Sequence, residues 1–177
     1  MPKRLKRYYG KGDLHFVTFS CYRRLPFLGT KRARDLFVKE LARVRREFGF
    51  RLIGYVVMPE HVHLLMSEPE KGTPSTVLQM LKQRVSRKMR RRKKRVASGQ
   101  MAFSGFLEIG EAKAFWQPRF HDFNVYRTGK VKEKLNYMHA NPVTRRLVKH
   151  PKDWPWSSWS ICVKGEAGMI GIDTWES

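Results

Sequence analysis

The sequence predicts an α+β fold in which an antiparallel sheet carries helices on one face. Short runs rich in β-branched and aromatic residues, which are typical of strands, are interleaved with longer runs whose apolar residues recur at helical spacing. Two of the predicted strands follow each other through a tight connection, as in a hairpin. These observations indicate a domain that combines a sheet with helices.

The first half of the chain contains three predicted strands and one helix. Residues 14–22 form the first strand. An amphipathic helix is predicted over 30–48, and Gly49 is expected to end it. Residues 50–58 and 61–67 predict the second and third strands.

The second half predicts two more helices and one strand. Thr73 and Pro74 match an N-cap followed by proline at the first helical position. The aromatic segment 115–123 predicts a fourth strand, which Pro118 confines to an edge or to the start of the strand. A last helix begins near Thr128, and we expect Asn141 and Pro142 to end or kink it.

The resulting order is βαββαβα. This order is typical of the ferredoxin-like (RRM-like) split arrangement, an antiparallel sheet with helices on one face and the other face free for a ligand.

The composition indicates a nucleic-acid partner. The 177 residues suffice for one compact domain, and 37 Lys and Arg against 15 Asp and Glu give a net charge of +22. A protein with such a large positive charge is expected to bind a polyanion. No apolar run is long enough to span a membrane, so we expect a soluble intracellular protein without a membrane partner. Cys21 and Cys162 are interpreted as reduced thiols.

Two histidines on the third predicted strand are candidate metal ligands. His61 and His63 are two residues apart, so on a strand both project from the same face, as two ligands of one ion require. The alternative is that they are hydrogen-bonded polar residues at the edge of a core. Glu60 is expected to face away from this site.

The last predicted helix carries a candidate nucleophile. Tyr137 and Asn141 are four residues apart and therefore share a helical face. Next to the histidines, they would form a phosphoryl-transfer site in which Asn141 is a third metal ligand and Tyr137 attacks phosphorus, helped by Lys130 and Lys134. The alternative for Tyr137 is a half-buried surface aromatic. His139 is expected to contact a phosphate or the backbone.

Basic and aromatic residues form a candidate DNA-binding surface. Ten of the fourteen residues in 82–95 are basic, and the alternative to phosphate contact is a solvated helix face. Cations and aromatics also alternate at the N-terminus, a combination that can hold phosphates and stack on unpaired bases. The candidates are Arg4, Lys6, Arg7, Tyr8, Arg23, Arg84, Arg87, Lys88, Arg91 and Arg119, with Lys130 and Lys134 near the tyrosine.

Five short motifs resemble the REP-associated tyrosine transposases, bacterial relatives of the single-tyrosine HUH transposases. They occur in the family's order: HFVTFS at 15–20, VMPEHVH at 57–63, WQPRF at 116–120, YMHANPV at 137–143 and WPWSS at 154–158. The resemblance implies a ferredoxin-like domain over 1–160 with a basic insertion around 87–110, followed by a tail at 161–177. It implies a cytoplasmic, nucleoid-associated protein that acts as a monomer or a homodimer.

The resemblance also implies a reaction. Proteins of this family cleave and rejoin single-stranded DNA beside a hairpin formed by a short palindrome, leaving a 5′-phosphotyrosine and a free 3′-hydroxyl. Mg²⁺ or Mn²⁺ is the usual ion, and the ligands would be His61, His63 and Asn141, with Tyr137 as nucleophile.

Two other functions remain open from the sequence. The protein could be a non-catalytic binder of hairpin DNA or RNA on the same fold, or a metal hydrolase of small phosphoesters that uses water. The hydrolase would explain the histidines but not the charge of +22.

Overall fold

The computed structural model describes residues 7–97 and 114–175. Their long elements follow the predicted order. They are β1 (Leu14–Ser20), α1 (Lys31–Phe48), β2 (Leu52–Val57), β3 (His61–Ser67), α2 (Pro74–Ala97), β4 (His121–Val125), α3 (Thr128–Thr144) and the short α4 (Trp159–Lys164).

The four described strands form one antiparallel sheet in the order β2-β3-β1-β4. The predicted α+β fold class is confirmed. β1 and β3 are the inner strands, and their register places Thr18 directly beside His63. The centre of the sheet therefore carries the candidate metal ligands.

Helices lie on both faces of this sheet. Phe19 of β1 contacts Phe37 of α1, and the Lys82 ammonium of α2 lies over the Phe19 ring. Phe16 points to the opposite face, because it is three residues from Phe19 on the same strand, and there it contacts Tyr137 of α3. The face that we expected to be free for a ligand is thus partly covered by α3.

Gly54 lets α3 approach β2 closely. A Cβ atom at this position would lie 2.5 Å from Cδ2 of Leu135 and 3.4 Å from the sulfur of Met138. Any side chain here would have to displace the Leu135 side chain or the helix that carries it. The glycine therefore helps to set the position of the helix that carries Tyr137.

The fourth strand begins later than predicted, at His121 rather than near residue 115. The preceding segment does run beside the end of β1, since Trp116 forms an isolated bridge with Cys21 and Gln117 donates its N–H to the Ser20 carbonyl. Pro118 has no N–H to donate, so the regular ladder starts only after it.

Of the two outcomes expected at Asn141 and Pro142, an end or a kink of the helix, the end does not occur, because α3 continues through Pro142 to Thr144. Proline removes one helical hydrogen bond, but its ring is buried here and the helix persists for two more residues. Asn141 consequently keeps a helical position one turn after Tyr137.

The C-terminal segments cover the free edge of β2. Val57 donates its N–H to the Trp156 carbonyl, and the Leu52 N–H donates to the Asp173 carboxylate at 2.7 Å. The tail thus lies along a sheet edge that would otherwise be unpaired. Among the described residues, no helix has the length and apolar character needed to cross a bilayer.

Candidate metal and nucleic-acid site

The imidazoles of His61 and His63 converge on one point above β3. Their Nε2 atoms are 3.0 Å apart, and both side chains are buried. For comparison, two neighbouring ligands of an octahedral ion with bonds of about 2.1 Å lie about 3.0 Å apart. The spacing suits two ligands of one ion.

The outer nitrogen of each imidazole has its own partner. His61 Nδ1 lies 3.0 Å from a Glu60 carboxylate oxygen, and His63 Nδ1 lies 2.9 Å from the Thr18 hydroxyl. Such partners hold a ligating imidazole in the tautomer that presents a lone pair at Nε2. The expectation that Glu60 faces away from the site was wrong, because its side chain turns back to His61.

Both histidines are uncharged at neutral pH. Burial lowers the pKa of His61, although the nearby Glu60 carboxylate opposes this effect. Burial, together with the proximity of His61 and Arg24, lowers the pKa of His63 to about 3. Neutral imidazoles are the form that binds metal ions.

Asn141 joins the two histidines from α3. Its amide nitrogen lies 3.0 Å from His63 Nε2, while its amide oxygen is buried without a hydrogen-bond partner. A half-turn of the amide exchanges the two atoms and directs the oxygen at the imidazoles. In the part of the chain that the structure describes, no three His, Cys, Asp or Glu side chains cluster as a metal site, so Asn141 is the candidate for a third protein ligand beside the two histidines. The donor set of two imidazoles and one amide oxygen fits a divalent ion.

Tyr137 lies at the mouth of this site. Its side chain is 56 % exposed, and its ring centroid is 5.6 Å from that of His63. Tyr137, both histidines and Asn141 line one cavity of about 320 Å³. The structure thus brings together all four residues that the sequence proposes for chemistry.

Two arginines of the same cavity were missed by the sequence analysis. Arg24 follows the end of β1 and Arg145 follows α3, and one nitrogen of each guanidinium lies 3.3 Å and 3.5 Å from the same Glu60 oxygen. The spacing of Tyr137, Asn141 and Arg145, four residues apart each time, is a signal from which Arg145 could have been found. Arg24 has no comparable signal.

Several predicted DNA contacts lie near the site. Lys134 places its ammonium over the rings of Phe16 and Phe123, and Lys130 forms an ion pair with Glu133. Arg119 is exposed and lines a second cavity, of about 430 Å³, which Thr18 also lines. The exposed Arg23 stacks on Tyr22.

The basic residues of α2 are not part of the site, because α2 lies on the other face of the sheet. Arg84 forms an ion pair with Glu47 of α1, and Lys88 forms one with Glu40. Arg87 and Arg91 are exposed. The predicted basic surface therefore belongs partly to the α1–α2 interface.

The structure describes two of the four predicted DNA-binding residues at the N-terminus. The Arg7 guanidinium lies 3.8 Å from the centroid of the Phe120 ring, and Tyr8 is 53 % exposed. Arg4 and Lys6 lie outside the described residues.

His139 has a structural contact instead of the predicted phosphate or backbone contact. It is buried, and its Nε2 lies 2.9 Å from the Ser158 hydroxyl. The same hydroxyl accepts the Tyr55 N–H, so His139 helps to join α3 to the segment that covers β2.

Comparison with known proteins identifies the family. The model of the family described as "Transposase IS200 like" matches residues 9–141. The chain belongs to the IS200-like transposase family. The match contains all four residues of the candidate site, and the resemblance to REP-associated tyrosine transposases is confirmed within this family.

Two curated relatives and one solved structure of this transposase family are similar over most of the chain. A REP-associated tyrosine transposase of Escherichia coli (strain K12) is 29% identical over 168 residues, which are 95% of this chain and 88% of the relative. A putative REP-associated tyrosine transposase of Haemophilus influenzae (strain ATCC 51907 / DSM 11121 / KW20 / Rd) is 25% identical and covers 91% of this chain and 88% of its own length. The solved structure, a REP-associated tyrosine transposase bound to a REP hairpin, aligns with a TM-score of 0.68 at 24% identity, over 99% of this chain and 94% of the other. It supports the fold.

Proposed function

We propose that this transposase nicks and rejoins single-stranded DNA beside a short palindromic hairpin, with Tyr137 as the nucleophile. The observation that carries the proposal is the cavity shared by Tyr137, the two converging imidazoles and Asn141. The exposed hydroxyl of Tyr137, next to a candidate cation site, is suited to attack a phosphodiester.

His61, His63 and Asn141 would hold a divalent ion, Mg²⁺ or Mn²⁺. Bound there, the ion would supply Lewis-acid polarisation of a non-bridging phosphate oxygen. Glu60 and Thr18 keep the two imidazoles oriented with Nε2 inward, and burial keeps both rings neutral.

In the proposed reaction, the Tyr137 oxygen attacks phosphorus and the bond between phosphorus and the 3′-oxygen breaks. The product is a 5′-phosphotyrosine, and the departing 3′-oxygen takes up a proton as the phenol loses one. Because a phosphodiester is exchanged for a phosphodiester, the 3′-hydroxyl can attack the adduct in reverse and reseal the strand without another energy source.

The attraction between basic side chains and the DNA phosphates would supply most of the affinity for the hairpin. A net charge of +22 favours phosphate contacts, and exposed aromatics such as Tyr8 and Phe123 can stack on unpaired bases. The solved relative named above is bound to a REP hairpin, which supports a hairpin of this class as the DNA partner. Arg7, Arg23, Arg87, Arg91 and Arg119 remain proposed contacts.

The test uses labelled single-stranded DNA that carries the short palindromes flanking the gene. It is incubated with the purified protein, with and without Mg²⁺ or Mn²⁺, and analysed on a denaturing protein gel. We expect a metal-dependent labelled adduct with the wild type and none with Tyr137→Phe, which keeps the ring and removes the nucleophile. Tyr126→Phe, which removes a hydroxyl from another exposed tyrosine, is the matched control and should retain the adduct.

The two alternatives give different results. A non-catalytic binder would form a salt-sensitive complex and no adduct with either metal. A phosphoesterase that uses water would cleave the substrate in the Tyr137→Phe variant as well. Either result would overturn the proposal.

A further inference from the structure

We infer that Arg24 and Arg145 are catalytic residues that bind the non-bridging oxygens of the scissile phosphate in the cavity they share with the candidate metal ligands. This inference rests on the proposed function, and it adds two substrate contacts to it. They come from two distant parts of the chain, and only the tertiary structure brings them into one cavity.

Both arginines lie in the cavity of the candidate site. Arg24 and Arg145 line the same cavity as Tyr137, His61 and His63. Both arginine side chains are about half exposed, at 52% and 50%, so their guanidinium groups are accessible to a DNA strand that enters the cavity.

The two arginines give this part of the cavity an excess of positive charge. Within the described residues, the contact found for each of these guanidinium groups is the Glu60 oxygen that also faces His61 Nδ1. One carboxylate thus faces two permanent positive charges, which leaves an excess of one. Each guanidinium has five N–H donors in a planar fork that matches phosphate oxygens, and Glu60 contacts a single nitrogen of each. The cavity is therefore suited to a phosphodiester, which carries one negative charge.

The backbone around Arg24 adopts an unusual conformation. Arg23 and Arg24 both have positive φ angles, 52° and 55°, which side-chain-bearing residues rarely adopt. The turn is held to the site by the Cys21 N–H, which donates to the Glu60 carbonyl at 2.9 Å, and by the Arg24 N–H, which donates to Cys21. A strained turn next to the cavity is a feature typical of functional sites.

Arg145 is positioned by the helix that carries the nucleophile. Its N–H donates to the Asn141 carbonyl, and it caps the end of α3, where the helix dipole favours a cation. Tyr137, Asn141 and Arg145 recur every four residues, so they follow one face of α3 and all three line the same cavity.

The chemistry requires such groups. When the Tyr137 oxygen adds to phosphorus and the 3′-oxygen leaves, negative charge accumulates on the oxygens around phosphorus. Guanidinium groups that already line the cavity would stabilise this charge with little reorganisation. The arginines hold the phosphate and transfer no proton, so the balance of the reaction is unchanged.

The test measures single-turnover adduct formation at saturating DNA for Arg24→Gln and Arg145→Gln. We expect each variant to lose a factor of about 10²–10³ in rate. Hairpin affinity should change by less than about twofold, because these residues contact the cleaved strand rather than the stem. Arg32→Gln, at an exposed position on α1, is the matched control for loss of one positive charge and should react at the wild-type rate.

A second measurement separates contact with phosphate from a structural role through Glu60. If the arginines only positioned Glu60 and His61, their loss would weaken Mn²⁺ binding, measured by calorimetry without DNA. The inference predicts that Mn²⁺ binds both variants no more weakly than the wild type.

Three results would overturn the inference: a rate loss below about threefold in both variants, an equal loss of hairpin affinity, or a parallel weakening of Mn²⁺ binding. The absence of any adduct with the wild-type protein would instead contradict the proposed function itself.

Discussion

The Thr18 hydroxyl lies 2.9 Å from Nδ1 of His63, across the β1–β3 pairing that places the two residues side by side. This contact keeps the His63 ring in the orientation in which Nε2 faces His61. Thr18 is thus a positioning residue for the candidate metal site, and it is supplied by the neighbouring strand.

We predict that Thr18→Val weakens Mn²⁺ binding by about 10–100-fold, as is usual when the outer partner of a ligating histidine is lost. Valine keeps the shape of the side chain and removes the hydroxyl. Calorimetric titration of the protein with Mn²⁺ measures the change. Thr18→Ser keeps the hydroxyl and should retain most of the affinity, whereas equal weakening in both variants would contradict the assignment.

We predict that Gly54→Ala destabilises the fold by about 1–3 kcal/mol, because the added methyl group overlaps Leu135 on α3. Urea denaturation followed by circular dichroism measures the free energy of unfolding. Gly129→Ala is the matched control, since nothing lies within 4 Å of a Cβ atom at that position. The control should change stability by less than about 1 kcal/mol, in the stabilising direction. A Gly54→Ala variant as stable as the wild type would show that α3 does not depend on this close approach.

We predict that part of the stability of the fold is lost as the pH rises. His15 is buried, and its Nδ1 lies 2.8 Å from Asp122 while its Nε2 lies 3.5 Å from Glu68. Burial alone would lower the pKa of His15, but the hydrogen bond to Asp122 and the charges of the two carboxylates outweigh it and raise the pKa above its usual value of 6.5. A raised pKa in the folded state means that the folded protein binds the proton more tightly than the unfolded chain does.

The stabilisation by His15 is therefore complete below pH 6.5 and disappears as the pH rises through the folded-state pKa. The measurement is the free energy of unfolding across this range for the wild type and for His15→Gln. The advantage of the wild type should shrink as the pH rises, and Asp122→Asn should reduce this dependence. An advantage that grows with pH would contradict the prediction.

We predict that Arg87 and Arg91, which are exposed on α2, contribute to DNA binding through phosphate contacts. Each replacement by glutamine should lower the slope of log affinity against log salt concentration by about 1, with similar weakening for all hairpin sequences. Binding of a labelled hairpin at several salt concentrations measures the slope. A slope equal to that of Arg32→Gln would exclude these residues from the interface.

The local elements of this chain were predictable because they depend on short-range periodicity. Apolar residues at helical spacing between Thr30 and Gly49 led to α1, which the structure caps with those two residues. The positions of His61 and His63 on one face of β3 follow from the two-residue repeat of a strand. Proline was less reliable as a local signal. Pro118 did delay β4, whereas Pro142 did not end α3, because a buried proline ring can be accommodated by packing that the sequence does not reveal.

The sequence by itself determined the fold class, the order of the elements and the residue types available for chemistry, since these depend on local periodicity and composition. Only the tertiary structure decided that α3 covers the histidine face, that Glu60 turns back to His61, and that Arg24 and Arg145 meet at that carboxylate. The physical reason is that the first and third of these arrangements join residues far apart in the chain, while the direction of the Glu60 side chain depends on the groups around it. All three depend on how the elements pack, and Gly54 leaves room for the Leu135 side chain against β2.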